Sequence, residues 1–440
     1  MAPPKGGYAP SLGKFLDTLK SRPVNASVES LISLLKRRQI NGSEACAIAT
    51  AHILLQVVAK DKWSDVNELL GRIQLVGKKL VASQPRELVI ANIVRRVLGL
   101  IRDEASEDRN DNPSDSSPDH RDPMNSPLPP AASEASSPTR PVRPPGALAQ
   151  LGSFARTQSM FNLLSDPDFT SPPWSNASTP GATPGIASGA STPLAHGQTT
   201  DVHAFRSEVI DGIEEIMDEI KQVDEQVQAI SEIIIHPGDY ILVHQPSRTV
   251  QKFLTRAASK RKFTVFLVVD PSTTSAADDA YAPFRKSMAS SGSIVVTVMN
   301  VGLMAYMSKA NKVILGARAI TAKGGVIVDA GAAAIARAAR AQGRAVVILG
   351  GVYKISSENK FQQEELIEWG DPSKYVNFAD GAMVSQVKVK SAVSEFIPGG
   401  DIDTYITNLG AHTRDHLHTI LTDHYKEEDM SFDIYGKGQR

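Results

Sequence analysis

Cysteine is nearly absent: Cys46 is the one thiol in 440 residues, and it lies far from the segment patterned as an α/β sheet. A lone cysteine excludes an intrachain disulfide and any thiolate zinc site, and it suits a reducing compartment. Long apolar runs are missing too. The longest, around Val265–Val269, falls far short of the ~20 residues that a membrane-spanning helix needs. The opening MAPPKGGYAP has no apolar signal region, so the expectation is a soluble, cytosolic chain with no membrane contact. Net charge is close to zero, at −1, which gives no reason to expect direct nucleic-acid binding.

What charge there is sits unevenly. Residues 1–105 carry 16 Lys/Arg against 9 Asp/Glu, whereas residues 201–235 carry 2 against 10. A basic module beside an acidic helix suits either mutual attraction or separate partners of opposite sign.

Apolar periodicity divides the chain. Residues 1–26 read as a flexible N-terminus. Over 27–105, stripes at helical spacing (Val28, Leu31, Ile32, Leu35; Ile53, Leu54, Val57, Val58; Val89, Ile93, Val97, Leu98) predict a helical bundle. Asn25 and Ser27 are candidate caps, and Pro85 suits a first helical turn. Sixteen of the 27 prolines fall between Pro113 and Pro193 among Ser, Thr, Asp and Gly, so 106–200 reads as a disordered insert, with Phe154–Leu164 as a candidate short helix. Residues 201–235 carry Val209, Ile213, Ile216, Ile220, Val223, Val227 and Ile230 as one long amphipathic helix completing the bundle.

From 236 to 440 the period shortens. Tyr240–Val243, Phe263–Val269, Ile294–Met299, Lys312–Leu315 and Ala345–Leu349 read as buried parallel strands separated by helices, a Rossmann-like doubly wound α/β domain. The tail Asp403–Tyr425 has a helical pattern.

Ligands of such sheets bind at the carboxyl ends of the strands. The loop His244-Gln245-Pro246-Ser247-Arg248 has no dinucleotide fingerprint, and Asp270-Pro271-Ser272-Thr273-Thr274 has no arginine. Gly7 to Gly13-Lys14 has five intervening residues, Phe15 for Ser/Thr and no preceding strand, so it is no phosphate loop. His412, His416 and His418 share a predicted helix but lack the glutamate and the third ligand of a zinc site. His236 and His244 flank the first strand with no carboxylate placed beside either, which fits a polar edge better than acid–base work. Arg256, Lys260, Arg261 and Lys262 end a helix, where they complement its dipole or form a patch for an acidic partner.

Three stretches carry a family resemblance: Ser247-Arg248-Thr249-Val250 with FLTRAASKRKFTVFLV at 253–268, NKVILGARAITAKGGVIVDAGAAAIARAAR at 311–340, and DIDTYITNLGAHTRDHLHTILTDHY at 401–425. They resemble the regulatory subunits of eukaryotic translation initiation factor 2B, and the tail is similar to the ending of beta-type members rather than alpha or delta. The resemblance covers roughly 27–105 and 201–435.

That family shares its fold with ribose-bisphosphate and methylthioribose-phosphate isomerases, in which a Cys follows the first strand and an Asp lies in a GADRI-like segment. The resemblance places Gln245 (or a neighbour) and Arg318 at those positions, and Val328-Asp329 where an Asn-Lys pair is expected. It also implies a phosphate-gripping Arg that Asp270-Pro271-Ser272 lacks. Gln supplies no thiolate, and Arg exchanges no proton near neutral pH.

The resemblance therefore implies a non-catalytic subunit without cofactor or metal, in a guanine-nucleotide exchange factor acting on initiation factor 2. Its implied partners are delta as direct pair, an alpha dimer, the gamma and epsilon catalytic subunits, and the alpha subunit of initiation factor 2, whose phosphorylation it helps to sense. Val301, Leu303, Met304, Tyr306 and Met307 are expected near the pairing interface, and Lys36, Arg37 and Arg38 as a substrate-facing basic run. The alternative is a residual sugar-phosphate isomerase or a metabolite sensor lined by Ser247, Arg248, Thr273 and Lys323.

Overall fold

The computed structural model describes residues 12–111, 202–269, 274–358, 367–370, 381 and 388–430. Most of the proline-rich insert, with Phe154–Leu164, lies outside the described residues, as do 270–273.

The N-terminal part is helical: α1 (Leu12–Leu19), α2 (Val24–Lys36), α3 (Ser43–Lys60), α4 (Val66–Ser83), α5 (Leu88–Asp111), α6 (Val202–Ala229) and the single turn α7 (Ser231–Ile234). Helix α3, SEACAIATAHILLQVVAK, is apolar on every side and is the central helix, with α5 and α6 packed on it. The apolar stripe of α6, from Phe205 to Val227, is buried along its length, with acids on the solvent side.

Two boundaries differ from the sequence reading. The supposedly flexible start contains α1, with Phe15 and Leu19 in the core. Its C-terminal carbonyl, Leu19 O, accepts from Gln56 at 2.8 Å and from Lys60 at 3.1 Å on α3, which anchors the turn. Helix α2 begins at Val24 after Pro23, so Ser27 is a buried interior residue rather than a cap, and Pro85 precedes α5 by more than a residue. At the other end α5 runs to Asp111, past the expected boundary at 106.

The rest alternates: β1 (Tyr240–His244), α8 (Arg248–Ala258), β2 (Thr264–Val269), α9 (Thr274–Ser290), β3 (Ile294–Met299), α10 (Leu303–Met307), β4 (Lys312–Gly316), β5 (Ala319–Thr321), β6 (Val326–Asp329), α11 (Ala332–Ala341), β7 (Ala345–Leu349), β8 (Ile355–Ser356), β9 (Glu368–Trp369), β10 (Ala392–Ile397), β11 (Thr404–Thr407), β12 (Gly410–His412), α12 (Leu417–His424) and α13 (Glu427–Met430). Seven strands form the main sheet in the order β12-β11-β7-β4-β1-β2-β3, parallel except for β12. All five strands read from apolar runs are in it; β1, β2, β4 and β7 are inner strands buried along their cores, whereas β3 is the exposed edge.

The tail corrects the sequence reading. Asp403–Tyr425 is not one helix: β11 pairs parallel with β7, turns back as β12, and only Leu417–His424 is helical. Tyr405 and Ile406 are adjacent and both buried on β11, and a four-residue strand is too short for its period to separate strand from helix in the sequence. A second sheet, β8-β5-β6-β10-β9, escaped the sequence reading because four of its strands have four residues or fewer and the fifth, AVSEFI, is broken by Ser394 and Glu395.

Helices and sheets share a core. One apolar cluster runs from Phe15 through α3, α5 and α6 to Val250, Phe253 and Ile406, so the boundary at 235/236 is a change of period and not a gap in packing. Ionic contacts reinforce this seam: Arg95 on α5 is buried against Glu358, and Arg102 grips Asp429 at 3.1 Å. No helix among the described residues is long and apolar enough to cross a membrane.

Candidate functional site

Strand order reverses at β1: β2 and β3 extend one way, β4 and β7 the other. The carboxyl ends of β1 and β4 are therefore the crevice where a sheet of this kind takes its ligand.

Here the crevice is closed by its own residues. Gln245 turns the chain out of β1 at φ 39°, and Ser247 caps α8 by accepting from the Val250 amide. His244, buried, donates through Nε2 to the Ala330 carbonyl at 2.8 Å. Gly331 makes that approach feasible: at φ 99°, a Cβ there would lie 2.8 Å from His244 Nε2. At the end of β4, a Cβ on Gly316 would lie 2.7 Å from Ser247 Oγ, so the two loops are in direct contact. Lys354, also buried, donates to the Ala317 carbonyl at 3.0 Å.

Arg318 follows β4 and Asp329 ends β6. The hairpin β5–β6, with Ala319 opposite Ile327 and a tight turn at Gly324 (φ 82°), swings the two side chains together. Arg318 Nε and Nη2 approach Asp329 Oδ1 at 2.7 and 2.6 Å, and Nη1 lies 3.5 Å from Glu368. Glu368 also pairs with Arg38, and Ser43 Oγ donates to the Arg318 carbonyl at 2.8 Å. Burial pushes the Glu87 carboxyl up, against the pull of Arg318 and Lys354. The same burial lowers Lys354. The crevice thus holds a nearly balanced set of opposite charges.

The one thiol, Cys46, is buried on α3 and directed at the Ile40 carbonyl, and desolvation pushes it well up, so it offers no thiolate to the crevice. Among the described residues no group of three or more His, Cys, Asp or Glu is placed to hold a metal.

The remaining candidates scatter. Val328 is buried in the sheet core, and Lys323 is exposed on the β5–β6 turn. Arg248 lines a surface groove outside the crevice, and Thr273 lies outside the described residues. Among the described residues, Arg248 and Lys323 are both exposed. Gly13 and Lys14 are inside α1, which is no phosphate loop. His412 is on β12, His416 in the following turn and His418 on α12, so the three do not share a helix. Lys36, Arg37 and Arg38 are all exposed, and Arg38, at φ 54°, also pairs with Glu368, which leaves Lys36 and Arg37 as the outward cations of the run. Burial and the nearby Arg318 lower Arg38. Glu87, Glu368, Lys354 and Ser43 were missed, because nothing local marks residues that meet only across the fold.

The edge strand β3 is the opposite kind of surface. Ile294, Met299, Val301 and Met304 are 61, 44, 96 and 52% exposed, with Leu303 and Tyr306 half-buried. Met307 differs from the expectation: it is fully buried, packed with Phe266 and Val298 in the second apolar cluster. An aromatic ladder, Tyr240 on Phe266 at 5.7 Å and Phe266 on Tyr306 at 5.1 Å, stiffens this edge from behind.

The sequence model described as the Initiation factor 2 subunit family matches residues 39–414. Translation initiation factor eIF2B subunit beta of Schizosaccharomyces pombe is 30% identical over 419 residues, spanning 94% of this chain and 99% of that protein. A chain of the tetrameric eIF2B-beta2-delta2 crystal structure from C. thermophilum superposes with a TM-score of 0.63 at 37% identity, covering 94% of this chain and 100% of that one. More distantly, ribose 1,5-bisphosphate isomerase of Pyrococcus furiosus is 26% identical over 218 residues, 49% of this chain and 66% of the enzyme. With a match across most of its length, the chain belongs to the initiation factor 2 subunit family.

Proposed function

We propose that this chain is a non-catalytic, beta-type subunit of the cytosolic guanine-nucleotide exchange factor for initiation factor 2. It pairs with a delta-type subunit, joins a second such pair through an alpha dimer, and carries the gamma and epsilon catalytic subunits. Its helical part contributes to reading the phosphorylation of the alpha subunit of initiation factor 2. The similarity to a chain of a beta2-delta2 complex supports the pairing.

The observation that carries the reading is the closed crevice. Arg318 and Asp329 neutralise each other where a catalytic acid would have to be free, and no thiolate is within the site. A proton-transfer carboxylate held by a guanidinium is a poor base, because the pair must break before it can accept. Isomerase chemistry is disfavoured on that ground, and Gln245 and Val328 bring no replacement group.

Pairing has its own physical support. Strand β3 is six uncharged residues, IVVTVM, on an open sheet edge with exposed apolar side chains. Such an edge is an aggregation hazard unless a partner covers it. We assign Val301, Met304 and the exposed side of β3 to the delta-facing surface, with Leu303 at its margin and Met307 behind it.

Co-expression with tagged alpha, delta, gamma and epsilon subunits, followed by mass measurement of the purified assembly, tests the reading. The expected result is a stoichiometric complex. A chain that stays monomeric among these subunits, or that turns over ribose bisphosphate at enzymatic rates, overturns it.

A further inference from the structure

Arg248, Lys252 and Arg256 recur every fourth residue on α8 and so share one face. With Gln228 of α6 and Pro283 and Phe284 of α9 they line a shallow surface groove of ≈ 490 Å³. The basic cluster seen in the sequence is redistributed here. Lys260 is taken by Glu232 at 2.7 Å and Arg261 by the Ile235 carbonyl. Lys252 meets Asp224 at 2.9 Å, but that carboxylate also accepts from the Thr249 hydroxyl at 2.7 Å. Arg256 lies 3.9 Å from Glu232, at the limit of an ion pair. Arg248 is exposed and has neither hydrogen bond nor ion pair among the described residues.

We propose that this groove docks an extended acidic peptide segment of a partner protein, with carboxylates at alternate positions and an apolar side chain against the Pro283–Phe284 wall. The spacing supports this. Successive cations stand about 6 Å apart along the helix axis, from a rise of about 1.5 Å per residue. An extended chain advances about 6.6 Å every two residues, so alternate side chains on one side of a strand keep step with the ladder. The cations span about 12 Å, more than one small anion can bridge.

The groove also favours peptide over nucleic acid. Gln228, Gln251 and Thr255 offer acceptors as well as donors, which suit a peptide backbone and are wasted on phosphodiesters. No exposed aromatic lines the groove to offer a stacking face for bases. The inference does not depend on the assembly proposed above.

The test is fluorescence anisotropy of the full chain with a labelled heptapeptide of alternating Asp and Leu, at low salt. Saturable binding is expected. The double variant R248E/R256E should weaken it by about tenfold or more, and R248Q/R256Q by less, as removal and reversal of exposed charges imply. Both substitutions sit on the exposed face, so the thermal midpoint should not move. K20E, on a distant exposed lysine, should leave binding unchanged. Equal affinity for a heptapeptide with its Asp residues contiguous, tighter binding of an oligouridylate, or indifference to R248E/R256E would each overturn the proposal.

Discussion

The carboxyl ends of β1 and β4 and the edge at β3 belong to the same sheet, yet they are finished in opposite ways. At the crevice the cations are held by internal partners: Arg318 by Asp329, Arg38 by Glu368, and Lys354 by the Ala317 carbonyl. At the edge, Ile294, Val301 and Met304 stand in solvent with no charge to guard them. The charged groups of the crevice are held internally, and of its titratable atoms His244 Nδ1 is left without a partner among the described residues. Apolar groups that could bind a partner are left exposed. Burying an unpaired charge costs several kcal/mol, about the whole stability of a domain, so closing the crevice stabilises the isolated chain. Exposed apolar area costs the chain little until a partner is present, and then contributes about 25 cal/mol per Å² of surface removed from water.

The sharpest way to break this comparison uses two methionines three residues apart. Met307→Asp places a carboxylate among Phe266, Val298 and Val313 and should destabilise the chain by about 4 kcal/mol or more, read as loss of a cooperative melt. Met304→Asp should leave the melt intact and abolish co-purification with a delta-type subunit. If Met304→Asp pairs normally, the edge is not the pairing surface.

Next in size is the seam between helices and sheets. Removing one partner of a buried ion pair strands the other, so Glu358→Leu should cost about 3–5 kcal/mol in denaturant unfolding. The double change Arg95→Leu with Glu358→Leu should recover most of it. If the double variant is as unstable as the single, Arg95 is held chiefly by other contacts, such as the Asp429 carbonyl at 3.3 Å.

At the crevice the expected loss is smaller, because Arg318 and Asp329 are each about one-third exposed. Asp329→Asn should cost about 1–2 kcal/mol, through loss of a charged hydrogen bond partly screened by water. It should bring no isomerase turnover. Activity on ribose bisphosphate after this one change would mean that the pair masks a working site.

These contrasts were unequally legible. Four inner parallel strands, β1, β2, β4 and β7, were plain because both of their faces are buried, so the centres of Tyr240–Val243 and Lys312–Leu315 read as apolar runs. Strand β3 was legible from its apolar run although its edge is exposed. The Arg318–Asp329 contact was not, since it needs the β5–β6 hairpin to bring together residues eleven apart in sequence. The signal was present in Gly324-Gly325 between two short apolar runs, a hairpin pattern. Arg38 is exposed, as its charged neighbours suggested, but its left-handed turn toward Glu368 has no local marker in a non-glycine residue. Met304 and Met307 were equivalent in sequence, and only the placement of α10 on β3 separates them.

The smallest effect compares the sheet's two edges. Where β3 is apolar, the opposite edge ends in the three-residue, antiparallel β12, whose His412 Nε2 lies 2.9 Å from Thr407 Oγ1 and whose ring lies 5.1 Å from that of His416. Burial, and secondarily His416, lower the His412 pKa below its ordinary 6.5. The unfolded chain then takes up a proton at higher pH than the folded one. The stability that His412 contributes is complete above about pH 6.5 and is lost as pH falls below that value, toward the folded pKa. His412→Asn should therefore flatten the decline of the thermal midpoint between about pH 7 and pH 5.5, with His52 and His424, both lowered chiefly by burial, supplying what slope remains. Assembly through β3 has no titrating group in its exposed apolar set, so pairing should hold across this window while the far edge loosens. Parallel pH profiles for wild type and His412→Asn would remove His412 as the source, and loss of pairing over the same window would place a titrating group at the apolar edge.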